Sequence, residues 1–74
     1  MKETYVHNHK VNYEDDAQAG IDYLRIDLDA NEAEVFFSAA RRQSSVNFED
    51  DNDRHFILTH NSSDNTYLLK RKKF

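Results

Sequence analysis

His7 and His9 stand two residues apart in the stretch Tyr5-Val6-His7-Asn8-His9-Lys10, within a 74-residue chain that has no cysteine. Residues i and i+2 of a β-strand point the same way, so this spacing could present two imidazole nitrogens to one Zn²⁺. A closed zinc site takes four ligands and a catalytic one three plus water, so further donors would have to come from His55, His60 or carboxylates. His55 and His60 are five apart and face opposite sides of a regular strand, so they make no second pair. An ordinary half-exposed strand explains His7 and His9 equally well, with Tyr5 and Tyr13 as aromatic neighbours and no metal. No cofactor is expected.

Other chemistry fares no better. Acids at 49, 51 and 53 imitate the first ligands of an EF-hand loop, but the sixth position is Arg54 in place of glycine and the twelfth is His60 in place of a bidentate glutamate. A solvated turn is the reading for Glu49-Asp50-Asp51-Asn52-Asp53. Asp15, Asp16, Asp50, Asp51 and Asp53 fall in segments that water should reach, where nothing tunes a carboxyl for acid–base work. Ser44, Ser45, Ser62 and Ser63 lack a nucleophile elbow, and the single glycine, Gly20, builds no phosphate-cradling loop. The expectation is a protein that is not an enzyme.

The remaining candidate is the C-terminal run Lys70-Arg71-Lys72-Lys73-Phe74. It holds four of the ten basic side chains, so residues 1–69 carry six basic against fourteen acidic groups, net −8, and the run carries +4. An acidic body repels polyanions and a basic end attracts them. Three uses follow: a solubilising or edge-guarding end of the last strand, contact with an acidic surface on a partner or a second copy, or binding of nucleic acid or a membrane interface, with Tyr67 and Phe74 stacking on bases or inserting among lipids.

Periodicity indicates the elements that must position these residues. Thr4 to Tyr13 alternates as one strand, residues 14–20 form a loop closed by Gly20, and Ile21 to Leu28 alternates as a second strand through Leu24, Ile26 and Leu28. Asp29-Ala30-Asn31-Glu32 has the form of a capping box, and Ala33, Phe36, Phe37 and Ala40 repeat at i, i+3, i+4, i+7. A helix over residues 30–43 is predicted, ending on Arg41 and Arg42, where positive charge suits the dipole. Short strands follow at 46–48, 54–60 and 66–70, the last two joined by a hairpin loop at 61–65.

The predicted fold is α+β: one amphipathic helix on a mostly antiparallel sheet in the order ββαβββ, a single domain over residues 1–69 with a basic tail at 70–74. A chain this short has a thin core and little room for a deep pocket. No apolar leader and no membrane span is visible, so a cytoplasmic setting is expected. The leading functional expectation is a protein-binding or regulatory module, acting on a partner or on itself through a sheet edge, helix face or the tail. Nucleic-acid binding through Lys70–Lys73 is the alternative, and metal binding at His7 and His9 the third.

Overall fold

The reciprocal cap read from Asp29 and Glu32 is formed: Asp29 Oδ1 accepts the Glu32 N–H at 2.7 Å, and Glu32 Oε1 accepts the Asp29 N–H at 2.9 Å. In the computed structural model, which describes residues 1–73, this cap opens the longer of two helices. The chain runs β1 (Lys2–Val6), β2 (His9–Tyr13), a 3₁₀ turn (Asp15–Ala17), α1 (Gln18–Asp22), a π-type turn (Tyr23–Asp27), α2 (Ala30–Gln43), β3 (Ser45–Glu49), β4 (His55–Asn61) and β5 (Thr66–Lys72). The strands form one mixed sheet in the order β1-β2-β5-β4-β3. Only β2 and β5 pair in parallel; β1–β2, β3–β4 and β4–β5 are antiparallel. With the helices on one face, the class is α+β.

The core lies between that face and the helices. Val6, Val11, Phe56, Leu58 and Leu69 from the sheet meet Ala17, Ile21, Leu24, Ala33, Phe37 and Ala40 from the helical layer, all fully buried. Aromatic rings tie the layers together: Phe37 meets Tyr67 edge-on at 4.8 Å, and Phe48 lies 5.1 Å from Phe36 and 5.5 Å from Phe56.

Two expected elements are different in kind. The segment Thr4–Tyr13 is a tight hairpin rather than one strand, because His7 and Asn8 both take positive φ (48° and 72°) and reverse the chain. Two-residue hairpins favour such turns, and Asn and His tolerate this region better than most residues. The segment Ile21–Leu28 is helical and not a strand. Ala17, Ile21 and Leu24 recur at helical spacing and are buried, whereas Ile26, which the strand reading turned to the same side as Leu24, is 69 % exposed.

Gly20 is correspondingly not a loop closer but an interior residue of α1. A Cβ there would lie 2.8 Å from Phe56 Cδ1 and 2.9 Å from Leu69 Cδ2, so the missing side chain is what lets α1 settle onto the sheet. The basic run does not start a separate tail either. β5 continues to Lys72, with Lys70 opposite Ile57, Arg71 opposite Phe56 and Lys72 opposite His55. Phe74 lies outside the described residues.

Candidate functional site

The two histidines that opened the sequence do not share a strand face. His7 sits in the hairpin turn and its Nε2–H donates to the Leu24 carbonyl at 2.9 Å. That carbonyl needs a partner, because the π-type turn would pass it to the Asp29 N–H, which Glu32 already holds. His9 begins β2, stacks on Phe37 at a ring distance of 4.2 Å, and places Nε2 at 2.8 Å from Glu34 Oε1. Among the described residues no cluster of three or more His, Cys, Asp or Glu side chains is arranged to hold a metal ion.

His9 belongs to a chain of polar contacts at one end of the sheet. Glu34 also accepts from the Arg41 guanidinium, and Arg41 Nη1 donates to the Tyr67 hydroxyl at 2.8 Å. His60 packs its ring 5.0 Å from Tyr67 and its Nε2–H donates to Asn65 Oδ1 at 3.0 Å. The Arg41 guanidinium foremost, and His9 after it, hold the Glu34 carboxyl below its ordinary range in spite of its partial burial. Among the described residues no buried side-chain nitrogen or oxygen lacks a partner. Glu34 and Arg41 thereby join α2 to β2 and β5, beside a hollow of about 400 Å³ lined by Thr59, His60, Asn61, Thr66 and Tyr67.

The opposite end of the sheet is open. Arg54 and His55, where β4 begins, and Arg71, Lys72 and Lys73, where β5 ends, line a shallow groove of about 420 Å³ together with Asp53. A second hollow of about 260 Å³ continues past His55 and Lys72 onto the uncovered face of the sheet, beside Asn47 and Glu49. Alternation along β5 divides the run: Lys70 and Lys72 share the uncovered face, and Arg71 and Lys73 point to the helical side, where Lys73 Nζ meets Asp16 Oδ2 at 3.1 Å. Arg54 Nε is tied to Asp50 Oδ2 at 2.7 Å, and His55 Nε2 lies 3.0 Å from Glu49 Oε1. Among the described residues Lys70 and Arg71 make no ion pair, and both are exposed.

Asp50 corrects the reading of the 49–53 turn as wholly solvated, since it is 8 % exposed. Its Oδ1 accepts the N–H groups of Asn52 (3.0 Å) and Arg54 (2.9 Å). Burial works against its charge, yet these two N–H donors and the Arg54 guanidinium outweigh it and keep the carboxyl below its ordinary value. Asp50 thereby fixes Arg54, and with it one wall of the groove.

Of the two aromatic residues expected to stack on bases, Phe74 lies outside the described residues. Tyr67 is 2 % exposed and lies inside the core. Among the described residues the exposed aromatic on the uncovered face is Tyr5, which pairs with Lys10 and so stands level with Thr66. At ~3.3 Å per strand residue that is about 20 Å from Lys72.

Arg54 and His55 were missed as members of the site. The signal was present: a hairpin loop at 61–65 folds β4 onto β5 symmetrically, so the residues that open β4 must meet those that end β5. Among the described residues no helix is long and apolar enough to cross a membrane. Comparison with protein-family models, curated proteins and solved structures gives no match for this chain.

Proposed function

We propose that this domain is a non-enzymatic protein-binding module whose docking site is the basic groove at the end of β5, and that its partner presents an acidic segment. The observation that carries the reading is the convergence of Arg54, His55, Arg71, Lys72 and Lys73 from two adjacent strands on one open groove, in a molecule of net charge −4. Asp50 and Asp16 fix the outer two cations, while Arg71 at the centre is exposed with no ion pair among the described residues. A planar guanidinium so placed suits a bidentate carboxylate. The surrounding acids, Asp53 and Glu49, favour a short acidic peptide over a long polyanion, which would meet the repulsion of the whole body. The proposal puts the protein in the cytoplasm, where a chain without cysteine forgoes no disulfide.

A ¹⁵N NMR titration of the full chain with a glutamate-rich peptide tests it, with single-stranded oligothymidine in a parallel arm. Shifts confined to residues 54–55 and 71–73, saturating with the peptide and reduced severalfold by Arg71→Glu, are the expected result. Silence at the lowest salt, or shifts spread elsewhere, overturns the reading. Tighter binding of the oligonucleotide at the same residues, with steep salt dependence, transfers the site to nucleic acid.

A further inference from the structure

The sheet has two edges, and they differ in how they are guarded. The β1 edge carries charge: Lys2 is tied to Asp15 at 3.0 Å and Glu3 to Lys10 at 3.3 Å. Charged side chains on an edge strand oppose pairing with another chain. The β3 edge, Ser45-Val46-Asn47-Phe48-Glu49, has no proline, no lysine and a single charge at its last position.

The outward backbone row of β3 can be assigned. The His60 N–H donates to the Ser44 carbonyl at 2.9 Å and the Asp50 N–H to the Arg54 carbonyl at 3.0 Å, one at each end of the β3–β4 ladder. With Val46 opposite Leu58 and Phe48 opposite Phe56, the alternation of an antiparallel pair commits residues 44, 46, 48 and 50 to β4. Ser45, Asn47 and Glu49 therefore direct their N–H and C=O groups away from the sheet.

We propose that this row pairs with the β3 strand of a second copy, antiparallel about a two-fold axis through Asn47. The side chains fit that register. On the helical side Val46 meets Phe48 of the second copy, an aliphatic–aromatic pair, and on the uncovered side Ser45 meets Glu49, so no like charges stand opposed. Charge complementarity extends past the strand ends. Ser45 follows the C-terminus of α2 with exposed Arg42, and the antiparallel arrangement brings that end against the loop of the second copy that holds exposed Asp51 and Asp53. The contact occurs twice by symmetry. Five residues of edge make a small interface, so the dimer forms reversibly and depends on concentration. This inference rests on the β3 edge and not on the cations of the basic groove, although Asp53 borders both.

Sedimentation equilibrium of the full chain over a wide concentration range provides the test, using three variants at exposed Asn47. Asn47→Pro removes an outward N–H that the β3–β4 ladder does not use, and it abolishes dimerisation. Asn47→Lys and Asn47→Asp each place like charges across the axis and weaken self-association roughly fivefold. An equimolar mixture of these last two restores the dimer as a heterodimer. Circular dichroism confirms that each variant stays folded, and the charge pair keeps the test sharp should the proline disturb the strand. A chain that is monomeric at all concentrations overturns the proposal. So does a dimer indifferent to position 47, or one abolished by Tyr5→Lys on the β1 edge.

Discussion

Strand β5 has α2 across its start, its closed end on the helical side, and a basic groove at its finish, its open end. At its start Tyr67 is buried, its hydroxyl takes a hydrogen bond from Arg41, and Arg41 in turn holds Glu34, which also holds His9. At its finish Arg71, Lys72 and Lys73 are exposed and line an open groove. The same residue types, arginine, histidine and acid, occur at both ends. Where α2 crosses the strand, Arg41, Glu34 and His9 are hydrogen-bonded in a chain that reaches Tyr67; at the other end Arg54 and Lys73 are each tied to an acid, and Arg71 is exposed with no ion pair among the described residues. The pairing of the arginines, and not residue type, separates the two ends: Arg41 is held by Glu34 and Tyr67, and Arg71 has no ion pair among the described residues.

The sharpest test of that contrast removes the packing that closes the first end. Phe37 is fully buried and contacts both His9 and Tyr67 by its ring. Phe37→Ala is expected to cost about 3–5 kcal/mol, a large fraction of the stability of so small a domain, read from urea denaturation. A loss below about 1 kcal/mol would mean that the polar contacts, and not the ring, hold α2 to the sheet.

A smaller effect is expected at Asp50, the one buried carboxylate of the open end among the described residues. Asp50→Ala strips three hydrogen-bonded donors of their acceptor and should cost about 1–3 kcal/mol at neutral pH. The pH dependence has a definite sign. Asp50 and Glu34 both have folded pKa values below their ordinary ones, so near the ordinary carboxylate range the unfolded chain binds more protons than the folded one. Their stabilisation is complete above the unfolded values and is lost as pH falls through the depressed folded values. Thermal melts from neutral to strongly acid pH should show this decline, and Asp50→Ala should flatten part of it. An unchanged acid limb in the variant would remove Asp50 from the account.

How far the sequence disclosed all this depends on the period of each segment. Residues 30–43 carry a cap, a long apolar stripe and basic residues at the end, three signals that agree, and the helix forms with those bounds. Ile21–Leu28 is short enough for its apolar residues to fit both a strand and a helix, and only the distribution of burial separates the two. The hairpin at His7-Asn8 lacks the glycine that marks such turns, so its alternation ran on unbroken through the reversal. Gly20 was read as punctuation because its reason for being glycine, the ring of Phe56, lies thirty-six residues away. The basic run was visible as charge. Its division between two faces, and the arrival of Arg54 and His55 beside it, needed the strand register.

The smallest expected effect completes the comparison. Arg71→Ala removes an exposed side chain with no ion pair among the described residues, opposite Phe56 on the central strand. Its cost in stability should stay within about 0.5 kcal/mol, in the range of surface substitutions away from caps, cores and buried networks. Arg41→Ala, the same replacement at the closed end, deprives the Tyr67 hydroxyl of its donor, leaves Glu34 with His9 alone, and should cost measurably more. Urea denaturation of the two variants side by side decides the matter. Equal losses would mean that Arg71 is also part of the fold, and the proposed docking groove would lose its central residue.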